Sequence, residues 1–145
     1  MKVCMLLRDK PEIREKWQEH FTHLLVDEYQ DTNHAQYVLT KTLAAKHKNV
    51  CVVGDDDQSI YSWRGANVRN ILEFERDFPN AKVVTLERNY RSTGRILEAA
   101  AEIIHHNKQR KPKRLWTEAA AGDEIRVQEL PNESVEASWV VRRLQ

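Results

Sequence analysis

Two short apolar runs, Leu24-Leu25-Val26 and Val50-Cys51-Val52-Val53, each stop abruptly in clustered acids. Asp27-Glu28 follows the first, and Gly54 then Asp55-Asp56-Asp57 follow the second. Neither run alternates apolar with polar residues, the pattern of strands covered on both faces in a parallel sheet. Between them, Thr32 or Asn33 stands where it can cap a helix whose apolar face holds Ala35, Leu39 and Leu43. Strand, helix and strand in that order predict an α/β architecture with a right-handed crossover. Ligands bind such open sheets beyond the carboxyl ends of the strands, and both acidic clusters fall there. The two clusters are therefore expected to share one site.

The rest of the chain extends this alternation. Pro11, Ile13, Trp17 and Phe21 predict a short amphipathic helix upstream. Val68, Ile71, Leu72 and Glu75 follow helical spacing, and Pro79 stops that helix. Lys82 to Leu86 reads as a β-branched strand, and Ser92 opens a longer helix through Ile96, Ala100 and Ile103 to Asn107. Glu124 to Leu130 alternates like an exposed strand, and Glu133 to Leu144 returns to helix. Both chain ends fall in helical sequence, so the chain is expected to be a truncated piece of marginal stability with uncovered sheet edges.

Charge excludes little. The share of charged residues is 31% and the formal net charge is +1, so any basic footprint for nucleic acid has to be local. The stretch with Lys108, Arg110, Lys111, Lys113 and Arg114 carries no acid and reads either as a phosphate contact or as a solvated connection. Cys4 and Cys51 are too few for a disulfide framework or a zinc site, and Cys51 is expected to be a buried, inert thiol. His105-His106 has no partner at metal-ligand spacing. No apolar stretch approaches the ~20 residues that span a bilayer, and no signal-peptide pattern follows Met1, so a cytoplasmic location is the default expectation.

Three runs carry chemistry. A buried strand ending in Asp27-Glu28 fits a Walker B element: the first carboxylate holds Mg2+ through its water shell and the second deprotonates an attacking water. The same two acids serve equally well as an ordinary acidic helix start. In the run Gly54 to Ala66, the amide of Gln58 offers donor and acceptor to a γ-phosphate or its attacking water. Tyr61 and Trp63, if that loop is extended, face one way as a stacking platform for bases, with Arg64 beside them for a backbone phosphate. The competing reading makes both aromatics core residues that Arg64 covers. Arg91 lies close to a helix start, where positive charge is mildly unfavourable; it is either placed there for function or forms a plain salt bridge.

Asp27-Glu28-Tyr29-Gln30-Asp31-Thr32-Asn33, then Gly54 to Ala66, then Leu86-Glu87-Arg88-Asn89-Tyr90-Arg91-Ser92 resemble, in this order, three motifs of superfamily 1 DNA helicases of the UvrD/Rep type. The resemblance implies a partial RecA-like P-loop NTPase domain over residues 1–86, running into the start of a second motor domain over 87–145. It implies that Asp27 binds magnesium, Glu28 activates water and Gln58 couples ATP state to the DNA groove. Tyr61 and Trp63 would stack on single-stranded bases, Tyr90 would pack on adenine and Arg91 would reach the γ-phosphate. Gln30 and Asp31 are expected to organise the loop rather than to act. Ser62 departs from the arginine that many relatives carry, so the supplementary phosphate contact of that arginine is not carried over to this position. ATP and Mg2+ are the implied cofactors. Single-stranded DNA, duplex junctions and the remaining helicase domains are the implied partners, with no membrane.

No Gly-x-x-x-x-Gly-Lys-[Ser/Thr] loop occurs in the chain. That loop cradles the β- and γ-phosphates, so ATP hydrolysis and unwinding by the chain alone are not expected. A non-catalytic single-strand-binding or regulatory module is the alternative. A metal-dependent nuclease built on Asp27, Glu28 and Asp55 to Asp57 leaves Gln58, the aromatics and Arg91 unexplained.

Overall fold

A computed structural model describes residues 1–144. They form two compact units, the first of residues 1–86 with 104–113 and the second of residues 87–103 with 114 onward.

The first unit begins with helix α1 (Lys2–Asp9), where the sequence shows only a short apolar cluster. Helix α2 (Pro11–His20) follows with proline in its first turn, as expected. Leu7 of α1 is buried, and Gln18 of α2 donates from Nε2 to the Thr42 carbonyl at 2.6 Å, tying α2 to helix α3 (His34–Ala44). Of the two candidate caps for α3, Asn33 takes the role: its Oδ1 accepts from Gln36 N at 3.0 Å, while Gln36 Oε1 accepts from Asn33 N at 2.9 Å. The Thr32 hydroxyl is engaged elsewhere, donating to the Tyr29 carbonyl at 2.7 Å.

Strands β1 (Leu24–Val26) and β2 (Val50–Val52) pair in parallel, with Leu24 opposite Val50 and Val26 opposite Val52. Coverage on both faces is not what the structure has. Leu24, Val26, Val50 and Val52 are half-buried, but Leu25 is 81% exposed and its neighbour Cys51 is exposed too. Successive side chains of a strand point to opposite faces, so these two residues share the open one. The Cys51 thiol is accordingly not buried.

Two further expectations change. Lys82 to Leu86 has no ladder partner among the described residues, and Val83, Val84 and Leu86 are exposed. β-Branching favours a strand only where a neighbour supplies the hydrogen bonds. The helix expected around Val68 to Glu75 is interrupted at Glu73 (φ −100°, ψ 10°), leaving α4 (Arg69–Leu72) and α5 (Phe74–Asp77) ahead of Pro79.

In the second unit, Glu87 to Asn89 lie alongside Trp116, whose N donates to the Glu87 carbonyl at 2.9 Å and whose carbonyl accepts from Asn89 N at 2.7 Å. Helix α6 (Gly94–Ile104) starts two residues after Ser92, and another segment satisfies its first free amides. Gly94 N and Arg95 N donate to the carbonyls of Ala120 and Ala121 at 3.2 and 3.0 Å. That segment passes so close that a Cβ on Gly122 (φ +81°) would stand 2.4 Å from Thr93 Oγ1. Glu124 to Leu130 forms no strand, whereas helix α7 (Glu133–Leu144) has the expected bounds and is capped by Asn132, whose Oδ1 accepts from Val135 N at 3.0 Å. No described helix is long and apolar enough to cross a membrane.

Candidate functional site

The parallel register brings β1 and β2 out of the sheet level with each other, so the segments after Val26 and Val52 start side by side. The first is a tight turn. Tyr29 to Asp31 form a 3-10 turn, and Tyr29, buried edge-on against Phe74 with centroids 5.7 Å apart, donates its N–H to the Val53 carbonyl at 2.9 Å. Anchoring Tyr29 there forces the preceding residue to turn sharply. Glu28 sits in the left-handed region at φ 48°, ψ 45°, which costs a non-glycine residue about 1–3 kcal/mol. The Asp27 carboxylate supports the bend by accepting from Glu28 N at 2.9 Å.

Behind this turn lies Gln30, only 1% exposed. Its Nε2 donates to Glu28 Oε2 at 2.7 Å and its Oε1 accepts from Asp55 N at 3.0 Å. Gly54 makes room for it, since a Cβ there would lie 2.5 Å from Gln30 Oε1.

Asp27 and Glu28 open onto a hollow of about 380 Å³ shared with Asp31, Thr32, Gln36 and Thr40. Asp31 Oδ1 is buried without a hydrogen-bond partner. Among the described residues no three ligating side chains converge. Magnesium keeps most of its waters and takes one or two carboxylates, so a site resting on Asp27 suits that ion.

The second segment is held by charge. Asp55 accepts from Asp57 N at 3.0 Å and from Gln58 Nε2 at 2.7 Å, shaping the 3-10 turn Asp56–Gln58. Lys113 Nζ then reaches Asp55 at 2.5 Å, Asp57 at 2.9 Å and Asp56 at 3.4 Å. Arg110 grips Asp57 with Nε at 2.9 Å and Nη2 at 2.8 Å, and Lys111 N donates to Asp56 at 2.9 Å. Burial pushes the Asp55 and Asp57 carboxyls up, but Lys113 acting on both, Gln58 on Asp55 and Arg110 on Asp57 outweigh it and leave both below the ordinary value. The basic stretch is thus no solvated connection over Arg110 to Lys113. The two acidic clusters also do not pool their carboxylates, because those of Asp55 and Asp57 turn toward the cations, and a nuclease site using both clusters loses its ligands.

Beyond Gln58 the loop is not extended. Ser62–Arg64 coil into a 3-10 turn, so the Tyr61 and Trp63 rings stand 6.3 Å apart and 51° from parallel. They are not core residues, since Trp63 is 72% exposed. The Arg64 guanidinium lies 5.1 Å from one ring and 4.5 Å from the other. A polar groove of about 460 Å³ runs beside this loop, lined by Ser59, Ser62, Asn67, Arg69 and Lys108 among others.

In the second unit, Asn89 Oδ1 accepts from Arg91 N at 2.9 Å and Ser92 N at 2.7 Å. This turn sets Arg91 upstream of α6 rather than on it. Tyr90 is 82% exposed, with the Arg88 guanidinium 4.7 Å from its ring and paired on its other side with Glu118. Sequence reasoning gave no role to Asn89, and treated Arg110 and Lys113 only as a charge run. An acidic triplet matched by a basic run of similar length was the signal available for the latter.

The described strands of the first unit are a parallel α/β pair that ends in an Asp-Glu turn and a glutamine–aromatic loop, and the comparisons give the family to which the chain belongs. Residues 1–79 match the UvrD/REP helicase N-terminal domain, and residues 84–145 match the UvrD-like helicase C-terminal domain. The chain belongs to the UvrD/REP helicase family. It is 55% identical over 144 residues to the ATP-dependent DNA helicase PcrA of Staphylococcus epidermidis and 53% identical over 144 residues to that of Staphylococcus aureus. Each alignment covers 99% of this chain and 20% of the relative, so the chain spans about a fifth of the length of these proteins.

Proposed function

We propose that this chain is the coupling segment of an ATP-dependent DNA helicase, linking nucleotide hydrolysis to a grip on single-stranded DNA. The observation that supports it best is the parallel register of β1 and β2, which starts the Asp27-Glu28 turn and the Gln58-to-Arg64 loop from neighbouring strand ends. Asp27 would hold Mg2+, which when bound neutralises charge on the phosphates. Glu28 takes the proton of the water that attacks the γ-phosphate. Gln58 reports the state of that phosphate to its own loop. Tyr61 and Trp63 stack on bases, and Arg64 leaves their faces to pair with a backbone phosphate. From the second unit, Tyr90 supplies an adenine stack and Arg91 stabilises phosphoryl charge.

The reading carries a RecA-like architecture, with residues 1–86 in one motor domain and 87–145 in the next. Single-stranded DNA at duplex junctions is the substrate, in the cytoplasm, and further helicase segments are the partners. The chain itself has no phosphate-binding lysine loop, so hydrolysis, translocation and unwinding need those segments.

The test grafts this chain in place of the 144 aligned residues of the Staphylococcus epidermidis PcrA. The graft should hydrolyse ATP in response to single-stranded DNA. Glu28→Gln should lower turnover by about 10²-fold or more while oligonucleotide binding persists. An inactive but folded graft overturns the reading, and a fully active Glu28→Gln overturns the role of that residue. The exposure of Trp63 favours one other reading, a non-catalytic strand-binding module. Tight binding of an oligonucleotide by the chain alone, indifferent to ATP in the graft as well, would decide for it.

A further inference from the structure

We infer that Gln30 is the positioning residue of the hydrolytic site: its buried amide sets the Glu28 carboxylate and fastens it to the backbone of the loop that carries Gln58, Tyr61 and Trp63. The inference rests on the function proposed above and adds a residue to it.

Gln30 is too deeply buried to touch substrate, so any influence on the reaction passes through its partners. Those partners determine its orientation. The Asp55 N–H can only donate and a Glu28 carboxylate can only accept, so Oε1 faces Asp55 at 3.0 Å and Nε2 faces Glu28 at 2.7 Å. A carboxylate at this position keeps the bond to Asp55 N and loses the donor to Glu28, while an apolar side chain loses both. Only a side-chain amide of this length spans the two strand ends.

The bridge matters because Glu28 has few other restraints. Its side chain is exposed and accepts no other hydrogen bond among the described residues, and its backbone is held in the left-handed region. Without Nε2, the carboxylate is free to rotate away from a bound nucleotide's phosphate. The other end of the amide reports on the second loop, since Asp55 N moves with the turn that places Gln58. Room for the link is built in at Gly54. A displacement of the aromatic loop by a DNA strand therefore reaches Glu28 through a single buried side chain that bonds directly to both segments.

The test uses the active graft with Gln30→Met and Gln30→Glu. Both should lower kcat for DNA-stimulated ATP hydrolysis about 10-fold or more with KM for ATP within about twofold, the mark of an interaction expressed only in the transition state. Amide hydrogen exchange then separates the two ends of the bridge. The Asp55 N–H should exchange faster in Gln30→Met and stay protected in Gln30→Glu. A Gln30→Met graft with unchanged kcat overturns the inference and leaves the helicase reading intact, because the parent graft is active. So does a KM that rises as kcat falls, the sign of general damage to the nucleotide site. Should Gln30→Met fail to fold, Gln30→Glu decides alone: unchanged kcat overturns the inference, and a selective kcat loss with Asp55 still protected upholds it.

Discussion

The two segments that leave the sheet side by side are held in opposite ways. The Asp27–Asp31 turn is fixed by short-range hydrogen bonds that salt does not screen: those of the buried Tyr29 and Gln30, within the turn and to Val53 and Asp55, and that of the Thr32 hydroxyl. The Asp55–Gln58 turn is fixed from far along the chain, by Lys113 and Arg110 on Asp55 and Asp57. One is a hydrogen-bonded mount for the Glu28 carboxylate, and the other is a charged clasp whose strength depends on medium and pH.

The comparison breaks most readily at Lys113. Lys113→Met leaves Asp55, Asp56 and Asp57 with Arg110 as the cation paired to them, and should cost about 2 kcal/mol after discounting for residual solvent access. A urea midpoint equal to that of the unaltered chain would show that the clasp does not contribute. Acid should act on the same loop more gradually. The folded-state pKa values of Asp55 and Asp57 are depressed, so their stabilisation is fully present above the ordinary carboxylate value of about 3.9 and is lost as pH falls through the lower folded values. Amide exchange at Asp57 and Gln58 should rise before that at Tyr29 and Thr32, and the reverse order would undo the contrast. Asn33→Ala, which removes the cap joined to the first turn, should cost about 1 kcal/mol equally at low and high salt. The smallest effect is that of 1 M salt alone: a few tenths of a kcal/mol lost from the second loop, and none from the first. Equal salt sensitivity in both, read by hydrogen exchange, would erase the distinction.

Much of this was legible in the residues. The strand–helix–strand unit, the helix from Pro11, the α3 cap and α7 follow from local rules, since period, proline and capping chemistry act over a few residues. What escaped reading depends on partners distant in sequence. Lys82 to Leu86 has strand propensity but no neighbour to pair with, and the apolar run at Cys51 is open on one face. The loop at Tyr61 coils because a 3-10 turn closes through the Gly65 N–H to the Ser62 carbonyl, which alternation of side chains does not foretell. The composition of the acidic turn was plain, whereas Gln30 as its internal link appears only when Asp55 is brought 3.0 Å from it.

The left-handed backbone at Glu28 has a consequence for how this protein tolerates change. Glycine would occupy that conformation without penalty, so Glu28→Gly stands to raise thermal stability by relieving the strain, less the bonds its carboxylate now makes. A library of variants screened for resistance to heat or proteolysis alone would accordingly enrich for loss of the carboxylate, while one screened for turnover would restore it. Under the role proposed for Glu28, position 28 is thus a point where durability and turnover favour different residues.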